Sequence, residues 1–95
     1  MVVGICQLDF LIHGNLSLKG KRRILKKVLG RVKEKFNASV AEVGDNDKWQ
    51  RSQVGFCVVG NDKRHINSSL DTIINFIDGL GIVEILSSEI EMLDC

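Results

Sequence analysis

The chain has 95 residues, enough for one hydrophobic core and too few for two domains, so residues 1–95 read as a single unit. Hydrophobic residues make up 44% and charged residues 26%, which argues for a folded domain and against disorder. No apolar run approaches the roughly 18–20 residues that cross a bilayer, so no membrane partner is expected.

The formal net charge of +1 hides a segregation. Residues 17–36 carry nine Lys or Arg against one acid, Glu34, and the rest of the chain carries four basic and eleven acidic residues. Positive charge concentrated on one segment gives a strong local field even in a nearly neutral protein. The cysteines, at 6, 57 and 95, are odd in number and lack C-x-x-C spacing. They read as free thiols in a reducing compartment, Cys6 and Cys57 as small hydrophobes within apolar segments. The opening residues MVVGICQLDF have no early Lys or Arg and include an acid, unlike a signal peptide. A cytoplasmic setting is the expectation.

Residues 2–12 (VVGICQLDFLI) predict a central strand, with Gly4, Cys6, Leu8, Phe10 and Ile12 on one face at period two. His13-Gly14-Asn15 breaks the pattern, and Ser17 is a good helix N-cap. Leu18, Leu25, Val28, Leu29, Val32 and Phe36 then recur at helical spacing and predict a first helix over 18–36. Residues 38–44 and 51–60 predict two strands of a hairpin around the turn 45–49. Asn61-Asp62 caps a second helix marked by Ile66, Leu70, Ile73, Ile74 and Ile77, which stops at Gly79 or Gly81. Residues 82–93 predict the last strand.

This order, β-α-β-β-α-β with short connections, predicts the ferredoxin-like α+β fold, a four-stranded antiparallel sheet with two helices on one face. Strands one and three are apolar on both faces, whereas a sheet face open to water alternates more cleanly. The open face is therefore expected to be covered by a second copy, making a homodimer.

Enzymatic constellations are missing. There is no phosphate-binding glycine loop, no dinucleotide fingerprint and no H-E-x-x-H, and neither His13 nor His65 has a partner at metal-ligand spacing. Acylphosphatase shares this architecture and cradles phosphate in the loop after strand one with an Arg. Here that loop is His13-Gly14-Asn15-Leu16-Ser17, without Arg or a run of glycines. The expectation is no enzyme, no cofactor and no metal.

The basic helix is the main signal. At about 100° per residue, the core stripe centres at about 330°, and Lys19, Arg22, Arg23, Lys26 and Lys33 fall between about 40° and 140° on one flank. Gly30 lies on the same flank and removes side-chain bulk there, while Lys27, Arg31 and Lys35 lie further round. Solvated helix faces usually mix signs to gain i,i+4 pairs, but here only Glu34 offers one. An anionic partner would relieve that repulsion: RNA by phosphate contacts, or the acidic surface of a partner protein. Trp49 and Arg51, beside a polar turn, are candidate accessory contacts.

Ser17-Leu18-Lys19-Gly20-Lys21-Arg22-Arg23, residues 36–43 (FNASVAEV), Trp49-Gln50-Arg51 and Val59-Gly60-Asn61-Asp62 together resemble the YlxP-like family of small bacterial proteins, a domain of unknown function. The resemblance covers almost the whole chain and implies the ferredoxin-like fold, self-association and a bacterial cytoplasm. Such proteins are often encoded beside translation initiation factor two and ribosome-binding factor A, which implies a setting near the ribosome. Gly20 stands where the family often has an acid, and His13-Gly14 where a proline is common. Both departures are expected to loosen the start of helix one.

The reading is a non-enzymatic RNA- or ribosome-associated module. Its phosphate contacts are Lys19, Arg22, Arg23, Lys26 and Lys33, with Trp49 and Arg51 as accessories. The alternative is a dimeric adaptor docking the same helix on an acidic protein.

Overall fold

The computed structural model describes residues 1–95. The elements are β1 (Val2–Leu11), α1 (Leu18–Lys35), β2 (Ser39–Gly44), β3 (Arg51–Gly60), α2 (Lys63–Gly79) and β4 (Glu84–Asp94). The strands form one antiparallel sheet in the order β2-β3-β1-β4. This is the ferredoxin-like α+β arrangement that the element order demands.

Alternation along β1 sets the layers. Val2, Gly4, Cys6, Leu8 and Phe10 are buried under the helices, and the residues between them are half-buried on the other face. The β1–β3 ladder runs unbroken from Val2 opposite Gly60 to Leu11 opposite Arg51, so Val54, Phe56 and Val58 fall on the same core face. Gly4 has a steric role: a Cβ there would overlap Ile66 of α2, so its absence lets α2 sit close on the sheet.

Boundaries move by a residue or two from the expected ones. α1 ends at Lys35 with Phe36 as its C-cap. α2 ends at Gly79, and Gly81 then takes the left-handed conformation at φ 65. β4 starts at Glu84 because that turn and the buried Val83 come first.

The two helices leave the other sheet face bare. Val43, Val59 and Leu93 are 55%, 62% and 40% exposed, and Ile5 lies half-buried among them. Cys57 belongs to this face and is half-buried, so only Cys6 of the two apolar-segment cysteines is a core residue. Burial, with the charge of Asp71 adding to it, pushes the Cys6 thiol up to about 11.

Candidate nucleic-acid interface

Helix α1 begins as its sequence dictates. Ser17 is extended, and its Oγ accepts a hydrogen bond from Gly20 N at 2.9 Å. The start of the helix is stitched rather than loosened, contrary to the expectation drawn from Gly20 and His13-Gly14. Asn15 Nδ2 donates to Ser17 O at 2.8 Å and to Trp49 O at 2.6 Å. Gln50 Nε2 donates back to Asn15 O at 3.1 Å, and Ile12 N donates to Gln50 O at 2.8 Å. A Cβ on Gly20 would overlap Asn15 Oδ1, so the glycine at this position is what admits the Asn15 side chain.

Below this stitch lies a buried cation. Lys21 is fully buried, and its Nζ donates to Asp45 O at 2.6 Å and Arg51 O at 3.1 Å and lies 2.9 Å from Glu42 Oε2. An ammonium has three N–H donors, and three acceptors converge on this one. Ser52 Oγ donates to the same Glu42 oxygen at 2.6 Å, and Asn46 Nδ2 to the other at 3.3 Å. Asp45 stands in the left-handed region at φ 57, and its carbonyl is one of the three acceptors. Lys21 thus ties the first turn of α1 to both ends of the 45–50 loop.

In the sequence Lys21 is one of the nine cations of residues 17–36, with nothing in its immediate neighbours to give it a role of its own. The signal was present, since Lys21 sits at about 300° on the helical wheel, inside the apolar stripe. Asn15, Glu42 and Ser52 were missed too, because only the fold brings them to the helix.

The five flank cations, Lys19, Arg22, Arg23, Lys26 and Lys33, are all exposed. The ion pairs of the chain are His13–Glu84, Lys21–Glu42, Lys48–Asp45 and Lys63–Asp94, and none engages the flank. Lys35 fixes the orientation: its Nζ lies 4.7 Å from the Phe76 ring centroid of α2, marking that side of α1 as the groove between the helices. The flank lies across the core stripe from Lys35, on the outer side of α1. Gly30 is on it, with open space where a Cβ would stand.

The accessory residues part company. Trp49 is 52% exposed beside the start of α1, held there by the Asn15 bond. Arg51 precedes the buried Ser52 and pairs with Leu11, so alternation places its side chain on the open sheet face, away from the flank. Only its carbonyl, through Lys21, belongs to the loop clamp. His13 is an exposed surface histidine, with its Nε2 3.1 Å from Glu84 Oε1.

Fold and site together define a small ferredoxin-like domain with a bare cationic helix flank. No group of three or more His, Cys, Asp or Glu is placed to hold a metal ion, and no helix is long and apolar enough to cross a membrane. The family model for proteins of unknown function, DUF503, matches residues 3–90, and the chain belongs to that family. It is 35% identical over 83 residues to the uncharacterized protein YlxP of Bacillus subtilis (strain 168), covering 87% of this chain and 90% of that one. Among solved structures, the de novo designed protein Foldit4 is similar over 100% of this chain and 99% of its own, with a TM-score of 0.55 and 18% identity. That likeness is one of fold alone.

Proposed function

We propose that this protein is a non-enzymatic module that binds RNA through its phosphates along the outer flank of α1. The observation that carries the reading is the set of five exposed cations without a carboxylate partner. From Lys19 to Lys33 they extend over roughly 21 Å at about 1.5 Å per residue, a span of several successive phosphates. Lys and Arg arrayed in this way bind by releasing counterions and have little base preference. Ribosomal subunits are the first partner to test, because the family resemblance implies a setting near the ribosome. In sucrose-gradient sedimentation the protein should travel with a subunit at low salt and leave it at high salt. Failure to co-sediment at low salt, together with no binding to naked RNA, would move the acidic-protein adaptor to the front.

A second reading concerns the open sheet face and is independent of RNA. Its β2–β3–β1 part holds a shallow, mainly apolar groove of about 280 Å³ lined by Ile5, Ala41, Val43, Gly55 and Cys57 among others. Asp9, on the same face, accepts a hydrogen bond from Ser87 Oγ at 2.7 Å, but its Oδ1 is shielded and has no donor. An exposed apolar groove on a bare sheet face suits a surface that a second copy covers.

A further inference from the structure

We infer that the RNA this site takes is unpaired, because Trp49 is built as a stacking platform for one nucleobase next to the phosphate track. The inference rests on the phosphate-binding reading and adds the class of RNA to it. An exposed indole alone says little, but the loop beneath this one is pinned at consecutive residues. Trp49 O accepts from Asn15, Gln50 O accepts from Ile12 N, and Arg51 O accepts from Lys21. The Gln50 side chain is also committed, donating to Asn15 O.

A loop fixed this firmly could fold its aromatic inward, yet Trp49 remains 52% exposed. It takes no part in the aromatic cluster of the chain, where Phe36 and Phe76 pack edge to face at 5.3 Å under Lys35. With the backbone pinned, only the two side-chain torsions of this uncovered indole remain to be fixed when a flat partner settles on it, so little entropy is lost.

Location selects the partner. Asn15 bridges Trp49 to Ser17, the cap residue, and the flank begins at Lys19, two residues on. A strand whose phosphates follow Lys19, Arg22 and Lys26 therefore passes Trp49 at the start of the helix. A base can stack there only if it is not already stacked within a duplex. Duplex RNA would engage the cations and leave the indole idle.

Trp49 is the one Trp in a chain without Tyr, so it reports on its own occupancy. The experiment titrates the full chain at low salt with an unstructured 12-nucleotide RNA and with a duplex of the same length. Affinity is read from the anisotropy of a labelled strand and occupancy from Trp fluorescence. The single strand should quench Trp49 and the duplex should not. Trp49→Ala should weaken single-strand binding by about five- to a hundredfold, the usual worth of one stacked base, and leave duplex binding within about twofold. Trp49→Phe should restore most of the loss, which separates stacking from loop damage.

Binding by both RNAs with unquenched fluorescence and no effect of Trp49→Ala overturns the inference and leaves the phosphate reading intact. Binding by neither RNA removes the phosphate reading, and this inference falls with it.

Discussion

Lys21 is the residue on which the candidate site depends, although it touches no partner surface. Removing one member of a buried ion pair strands the other, and losses of about 3–5 kcal/mol are typical. Glu42 keeps 18% of its side chain exposed, which places the expected loss for Lys21→Met at the lower end, about 3 kcal/mol. For a chain of this size that is a fall of roughly 12–24 °C in Tm, measurable by calorimetry. Lys21→Arg should not rescue it, because a planar guanidinium fork cannot meet three acceptors that converge on a point. A Tm unchanged by Lys21→Met would mean that the clamp is not formed in solution.

The helix glycines make a paired test at the same scale. Gly30→Ala enters open space and should stabilise by about 0.5–1 kcal/mol through helix propensity alone. Gly20→Ala gains the same propensity but displaces Asn15 from two hydrogen bonds, each worth about 1 kcal/mol, so its net effect should be destabilising. Urea denaturation of both variants checks the opposite signs, and equal stabilisation would show that the Asn15 stitch contributes nothing.

At the scale of the element, α1 was legible where periodicity speaks. Ser17 as cap, Leu25, Val28 and Val32 as buried residues and the exposed flank all follow from side-chain type at helical spacing. The same rule failed at Lys21, since a cation inside an apolar stripe reads as surface until its acceptors are known. Those acceptors, the carbonyls of Asp45 and Arg51 and the Glu42 carboxylate, lie 21 to 30 residues away, and two of the three are backbone atoms that no side-chain pattern marks. The separation of Trp49 from Arg51 was hidden for a related reason. Residues two apart share a face only within a strand; Arg51 is the first residue of β3, whereas Trp49 still lies in the preceding loop, where no alternation fixes its direction. The β-α-β-β-α-β order, by contrast, was clear because every element carries its own period and its own stop.

At the scale of the whole molecule, two surfaces of different chemistry are presented. The cationic flank is on the helical side, and the apolar patch is on the open face of the sheet. Self-association through the sheet and RNA binding through α1 are therefore compatible, and a homodimer would carry two phosphate tracks.

Thiol labelling separates the surfaces. At pH 8, Cys6 should stay unreactive, because its proton is held up to about 11 against an ordinary 9. The sign for stability follows: nothing is lost below about pH 9, and folding weakens between about 9 and 11 as the unfolded thiol ionises first. Cys57, half-buried on the open face, should label readily in dilute protein and slow down at tens of micromolar if a second copy covers it. A Cys57 rate independent of concentration, with a monomer in sedimentation equilibrium, would leave that face uncovered.

The central claim is the phosphate track, and its most direct test is an anisotropy titration with a ribosomal RNA fragment at two or more salt concentrations. Five contacts predict a slope of log affinity on log salt of about −3.5 to −4.5, at roughly 0.7–0.9 per contact. Changing Arg22, Lys26 and Lys33 to Ala should lower the affinity and flatten the slope by about one contact per substitution. Folding should survive, since all three residues are exposed and each removal relieves like-charge repulsion. Lys27→Ala with Arg31→Ala, further round the same helix, should cost much less. That result would place the RNA on the outer flank of α1; equal losses per charge from both sets, or binding indifferent to salt, would contradict it.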